Sequence, residues 1–347
     1  MKKIYYLVVL LTVLYKGQFT FAQDIHFSQA LETPLALSPA NTGFYNGYVR
    51  ATVNYRNQWA AMNKAFQTQG ISIDGGLFKS KKRPAFMGLG LTIFTDAAGS
   101  AKLRTTGALL NVSGLVKLGR RSAISVGLAG GTQATNGNYS SLTYANQFNG
   151  NFIDPNINSG ETPNRQFTNV DMAVGAAYEF TTFKKDQDHD DIFSFKLSFG
   201  GFHVNQPVQD YRAAANYKLP VKYVAALTSV IDMEDTKFTI TPTFIYQAQA
   251  RSQEIYMGSY LKYRMSTGTK VTGVKTQNAI GLGLFYRRNA DIIPSLIFDL
   301  GDYSIAMAYD VNVSAYTSAS KGFGGFEIAL RFNSLASSLF ESRKEFK

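Results

Sequence analysis

Three histidines, His26, His189 and His203, are the first candidates for acid–base or metal chemistry. They stand far apart, and no two have the short spacing of paired metal ligands. Cysteine is absent, so a thiolate nucleophile, a disulfide framework and a Cys-ligated metal are all excluded. No G-x-S-x-G motif marks a nucleophile elbow, and nothing else in the sequence supplies an activated nucleophile. Asp186, Asp188 and Asp190 have the one-three-five spacing of a calcium loop. However, Asp191 stands where the loop needs glycine and Leu197 where it needs a bidentate acid, so a solvated acidic turn explains the cluster as well. The expectation is a protein that is not an enzyme and carries no cofactor.

The elements that could position any such residue are best read from the N-terminus onward. Lys2 and Lys3 precede Ile4–Leu14, an unbroken and mainly apolar stretch, and Thr20-Phe21-Ala22 offers small residues at the two cleavage positions. This is a signal peptide, 1–22, cut between Ala22 and Gln23; its apolar stretch is shorter than the ~20 residues that a spanning helix needs. Cleavage removes Lys2, Lys3 and Lys16 and no acid, which lowers the formal charge from +11 to +8. An exported chain has no access to nucleic acid. The positive charge suits lipopolysaccharide or an acidic partner instead.

Beyond residue 22 the dominant pattern has period two, the periodicity of strands. Phe193, Phe195, Leu197 and Phe199 alternate with Ser194, Lys196, Ser198 and Gly200. Phe326, Ile328, Leu330 and Phe332 alternate with Gly325, Glu327, Ala329 and Arg331. The polar face holds small residues and scattered charges, which suits a barrel interior better than a sandwich core. The low charged fraction, 17%, and the 30 glycines, 26 phenylalanines and 20 tyrosines fit a lipid-facing wall.

These patterns predict an all-β transmembrane antiparallel barrel of about 14 strands (12–16) over 48–332. An N-terminal arm or plug, 23–47, precedes it, and a short periplasmic tail, 333–347, follows. With the mature N-terminus in the periplasm, odd-numbered connections face outward, including the long, asparagine-rich 134–168 and 207–220. Segment 265–276 breaks this asymmetry and puts the neighbouring strand pair in question. Lys79, Lys81, Lys82 and Arg83 form a basic turn closed by Pro84, either a periplasmic docking patch or a charged turn kept out of the membrane. Trp59, Tyr45, Tyr48, Tyr55, Tyr286 and Tyr309 fall near strand ends, as an interfacial aromatic girdle would.

Several segments, in order, resemble the PorP/SprF family of outer-membrane proteins in Bacteroidetes. Gln23-Asp24-Ile25-His26-Phe27-Ser28-Gln29 is similar to the family's mature start. Thr33 to Gly43, with Pro39, Asn41 and Gly43, resembles its N-P-x-x-x-N-P-A-x-x-G, with Thr33 and Ser38 where asparagine is common. Tyr55-Arg56-Asn57-Gln58-Trp59 matches Y-R-x-Q-W, and His203 to Pro207 resembles H-x-x-Q-P. Tyr309-Asp310 and Gly325-Phe326-Glu327-Ile328 are similar to its Y-D and S-H-E-[IL] elements, with Phe326 in place of histidine. The resemblance spans 23 to about 332.

It implies a non-catalytic component of type IX secretion and gliding machinery. Such a component binds a secreted, adhesin-like surface protein through a C-terminal sorting domain of the second type, and supports its secretion and anchoring. Other type IX secretion components in the periplasm and outer-membrane lipid are further expected partners. The motif residues either shape the partner-binding end or brace the barrel. An outer-membrane channel for small solutes is the competing function, and a soluble exported enzyme or lectin on a sandwich is a third.

Overall fold

The computed structural model describes residues 24–59, 66–79, 83–99, 101–119, 121–139, 142–160, 166–183, 192–211, 217–233, 236–265, 278–315 and 317–334. Segment 1–22, the expected signal peptide, Asp186–Asp190 and all but the first two residues of the expected tail 333–347 lie outside them.

Fourteen strands close into one antiparallel barrel. They are β1 (Val49–Gln58), β2 (Phe66–Leu77), β3 (Ala85–Ala98), β4 (Leu103–Lys117), β5 (Ser122–Asn136), β6 (Gln166–Phe183) and β7 (Ile192–Phe202), then β10 (Lys222–Asp232), β11 (Phe238–Gln249), β12 (Ser252–Arg264), β13 (Asn278–Arg287), β14 (Asp291–Leu300), β15 (Tyr303–Asn312) and β16 (Phe323–Asn333). β8 (Val208–Gln209) and β9 (Tyr217–Lys218) form a small separate hairpin between β7 and β10. Each barrel strand pairs with its neighbours in chain order, and β1 pairs with β16 in the register Arg56↔Glu327, which leaves no open edge. β12 pairs directly with β13, so the strand pair flanking 265–276 is in place.

The period-two pattern sets the two faces. Val53, Ile71, Ile73, Leu110, Val126, Leu128, Leu282 and Leu284 point outward and are exposed, forming an apolar wall for lipid. Their sequence neighbours Thr52, Asn54, Ser72, Asn111 and Ser125 point inward and are buried. Among the described residues no helix is long and apolar enough to cross a membrane; the strands make the crossing.

The interior is filled by the arm that precedes β1. It winds through a 3-10 turn (Ala30–Glu32), a helical turn (Pro34–Leu37) and a second 3-10 turn (Pro39–Asn41). Proline opens the last two, where its missing N–H costs nothing. Ser38 fixes the second 3-10 turn by accepting from the Ala40 N–H at 3.2 Å while donating to the Phe199 carbonyl at 2.7 Å. The odd-numbered connections do gather at one end of the barrel, called here the loop end, opposite the start of β1. The chain's first described residues lie at this same end. Asp24 bonds to Gln249, at the end of β11, and contacts Lys222, at the start of β10. The arm then descends the whole lumen to reach β1 from the far side. The expected mature N-terminus, Gln23, itself lies outside the described residues.

Candidate functional site: the plugged lumen

Three layers of inward-facing charge hold the arm. In the layer nearest the loop end, Asp24 is the contact point. His203 donates through Nδ1 to Asp171 Oδ1 at 2.8 Å and through Nε2 to Asp24 Oδ2 at 3.2 Å. Lys222 Nζ donates to the Ile25 carbonyl at 3.0 Å and lies 3.4 Å from Asp24 Oδ2. Gln133 completes the set by donating to Asp171 at 2.7 Å. His203 sits just past β7 at φ 58°, the left-handed region that only special surroundings impose on a bulky residue. Burial would discharge its ring, but hydrogen bonds to Asp171 and Asp24 outweigh this and raise its pKa to about 9. Burial also opposes the charge on Asp24, and Lys222 and His203 override it to hold that carboxyl below the usual range.

The second layer is the densest. Arg56 donates to the His26 carbonyl at 2.6 Å and to Asp310 Oδ2 at 2.8 Å. Arg287 donates to Asp291 at 2.7 Å, to Asp310 Oδ2 at 3.2 Å and to Ser28 Oγ at 2.9 Å. Ser28 Oγ in turn donates to Asp310 Oδ2 at 2.8 Å. Glu327 accepts the backbone N–H of Ser28 at 2.6 Å and of Gln29 at 2.9 Å. Tyr256 donates to the Ser28 carbonyl and Tyr260 to the Gln29 side chain, at 2.7 and 2.8 Å. Four strands, β12, β13, β15 and β16, thus converge on two consecutive arm residues, Ser28 and Gln29. His26 nearby approaches Glu254 only loosely, at 3.9 Å.

The third layer lies where the arm joins β1. Arg50 grips Asp74 through two bonds of 2.9 Å and donates to the Asn41 carbonyl at 3.0 Å. Asp74 also accepts the Gly43 N–H at 2.7 Å, and Gly43 takes φ 66°, which glycine adopts without strain. Tyr45 donates to the Asp74 carbonyl and carries Arg50 4.2 Å above its ring. Lys79 donates to the carbonyls of Tyr45 and Gly47 at 2.7 and 2.6 Å. Burial, with Lys117 and Lys196 nearby, lowers its pKa to about 8. Of the basic turn, Lys79 at least points into the barrel mouth to hold the arm; Lys81 and Lys82 lie outside the described residues.

The motif residues thus divide into three groups. Pro39, Asn41 and Gly43 shape the arm, with Asn41 donating to the Pro34 carbonyl at 2.9 Å. Arg56, His203 and Asp310 face the lumen and bind it. Tyr55 and Tyr309 sit on the outward face, Tyr309 being exposed. Gln58 ends β1 opposite Gly325. Trp59 follows at φ 57°, donates its backbone N–H to Gly324 at 2.7 Å and stands edge-on to Phe66 at 5.3 Å. Pro207 is buried and accepts from the Leu219 N–H at 2.9 Å. Tyr45 does not belong to a girdle: it is buried inside the barrel, because its hydroxyl and ring serve the Arg50–Asp74 pair. The sequence reading missed Arg287, Asp291, Asp171, Lys222 and Asp74. The available signal was a charged residue on the small, polar face of a strand, clearest for Asp74 and Arg287, the sole charges of β2 and β13.

A lipid-facing closed barrel whose lumen is threaded and charge-locked by its own N-terminal arm defines a plugged outer-membrane β-barrel protein. Among solved structures, the chain is similar to the CymD monoaromatic hydrocarbon channel (10% identity, 90% of this chain and 94% of that chain, TM-score 0.42). It is also similar to the translocator domain of autotransporter NalP from Neisseria meningitidis (11%, 88% and 95%, TM-score 0.39) and to the KdgM porin (10%, 81% and 98%, TM-score 0.32). No curated protein sequence matches it significantly. The family model described as type IX secretion system membrane protein PorP/SprF matches residues 19–332. The chain belongs to that family.

Proposed function

We propose that this type IX secretion component is a non-catalytic binding and anchoring barrel for one secreted surface protein. The loop end faces the exterior, in keeping with short periplasmic turns and longer external loops. The partner, an adhesin-like protein with a C-terminal sorting domain of the second type, is engaged at that end and held on the cell surface. The observation that carries this reading is the arm. It occupies the lumen over its full height and is tied to β1, β7, β10, β13, β15 and β16. A barrel so filled offers its outer surface and loops for recognition, whereas a solute channel needs an open path. The other secretion components expected in the periplasm would meet the opposite end, where Arg83, Arg121 and Lys237 are exposed.

The test is affinity purification of the tagged barrel from native membranes after gentle extraction. One large exported partner in stoichiometric amount is expected. Recovery of the barrel alone would sink the proposal.

A further inference from the structure

The loop end presents two apolar features that the barrel itself leaves uncovered. The first is the tip of the connection between β5 and β6. Phe148 and Ile153 bridge each other in antiparallel fashion. Asn149 Oδ1 accepts the N–H groups of Asn151 and Phe152 at 3.0 Å, and the Asp154 N–H donates to Gln147 at 2.9 Å. The tip is therefore a tightly bonded turn, yet Phe148, Phe152 and Ile153 are 55%, 60% and 47% exposed. Lipid is not their solvent: they stand among Asn146, Asn149, Asn151, Asp154 and Asn156, side chains that do not enter hydrocarbon. The second feature is Tyr211, which stands edge-on to Phe167 at 5.0 Å, with Tyr217 exposed on the same connection.

Around these lies a ring of cations. Among the described residues, five other features at this end each carry one exposed cation: Lys102 before β4, Lys218 on β9, Arg251 before β12, Arg288 after β13 and Lys321 before β16. Among the described residues of the connections at this end, the exposed or half-exposed acids are Asp154 and Asp210. Lys102 and Lys321 take φ 46° and 51°, turn positions where glycine or asparagine would be unstrained. The chain keeps lysine there at a conformational cost, and such a cost points to function. Preformed aromatic anchors inside a single-sign rim are the makings of a recognition surface. The anchors supply buried area and the rim steers the partner.

We propose that this end is a docking surface for an acidic polypeptide bearing apolar side chains, with Phe148 and Phe152 as its anchors and Lys102, Lys218, Arg251, Arg288 and Lys321 as its rim. This rests on the reading above that the barrel binds a secreted partner, and it assigns that partner's chemistry.

The test uses full-length barrel in two variants, Phe148→Ser/Phe152→Ser and Lys102→Glu/Arg251→Glu/Arg288→Glu/Lys321→Glu. Folding of each is checked by heat-modifiable gel migration. The partner recovered with the wild-type barrel is the first probe. Each variant is expected to retain about a tenth or less of it, and wild-type binding to weaken as salt rises from about 0.1 to about 1 M. Undiminished capture by both folded variants overturns the surface while leaving the binding function intact. If the wild-type barrel recovers no partner, the binding function itself fails. The surface is then judged on a synthetic peptide of alternating Glu and Phe, which wild type should bind and the rim variant should not. Equal peptide binding by both overturns it. So does a rim whose reversal abolishes binding only to vesicles containing lipopolysaccharide, which would make it a lipid contact.

Discussion

Arg56 on β1 and Asp310 on β15 meet at 2.8 Å inside the barrel although 254 positions separate them. Both are almost fully buried, and the pair is complete only when the arm supplies the His26 carbonyl and the Ser28 hydroxyl. Replacing Asp310 by Ala leaves two buried guanidinium groups, of Arg56 and Arg287, short of a counter-charge. Breaking a buried pair in this way costs about 3–5 kcal/mol. Asp310→Ala should therefore lower the temperature at which the barrel loses its compact gel migration, by far more than a change at the exposed Tyr309 beside it.

Glu327 holds the arm through two backbone N–H groups. Glu327→Ala strands both donors in a dry site, at about 1–3 kcal/mol for each unsatisfied group. Glu327→Gln keeps one acceptor oxygen and should be milder. Limited proteolysis reads the difference. Cleavage within residues 24–48 should accelerate in Glu327→Ala while the strands stay protected. Equal protection in both variants would mean that Glu327 does not hold the arm.

Much of this was legible in the sequence because period two is a strong signal wherever one face meets lipid. Phe326, Ile328 and Leu330 point out, and Glu327 and Ala329 point in, as their order dictates. The barrel closure and strand count followed from the same pattern. What each inward charge binds was not legible. Ser28 meets Asp310 across 282 positions, a distance only closure of the sheet can collapse, and no local pattern encodes it. Tyr45 failed for a related reason. Residue type near a strand end suits a girdle and a lumen contact alike, and its place was decided by Asp74 and Arg50. Tyr256, Tyr260 and Phe285 break the rule that the inner face is small and polar, because there the two tyrosines bond to the arm through their hydroxyls and pack on Phe285, Tyr256 stacked and Tyr260 edge-on.

Close packing of arm on wall makes a second kind of prediction. A Cβ on Gly127 would overlap the backbone of Pro39 and Ala40, and one on Gly200 would overlap the Leu37 carbonyl. Backbone cannot yield as a flexible side-chain end can. Gly127→Ala and Gly200→Ala should each weaken arm docking, seen as faster cleavage of the arm and a cost of roughly 1–3 kcal/mol typical of overpacking. Gly114 and Gly130 have open space where a Cβ would go, so alanine at either should leave both readouts unchanged.

The His203 cluster should make the arm's outer anchorage depend on pH. Its pKa is raised to about 9 by Asp171 and Asp24, above the unperturbed value of ~6.5. A group raised on folding contributes stability that is fully present below the unfolded pKa and is lost as pH rises through the folded one. Arm protection in the first residues should thus hold at pH about 6 and decline towards pH about 9 to 10. His203→Gln should abolish that decline, starting from weaker protection. Hydrogen exchange of Ile25 and His26 across this range measures it, and an unchanged slope in the variant would place the titration elsewhere.

The last prediction concerns the lumen itself. If the arm is what closes the barrel, the wild-type protein should conduct little or nothing in planar bilayers, since the arm occupies the lumen and a cavity left beside it, lined by Phe27, Thr52, Ser72 and Phe94 among others, holds only about 90 Å³. Removing residues 24–46 takes out the plug and leaves Tyr48 and β1 intact. It also uncovers the carboxylates of Asp74, Asp171, Asp310 and Glu327 together with the cations of Arg50, Arg56, Lys222 and Arg287, so the opened pore should be polar and wet. Stable, ion-carrying conductance is expected from the deleted form once gel migration shows that it has folded. Equal conductance before and after deletion would show that the arm does not gate the lumen, and would return the solute channel to first place.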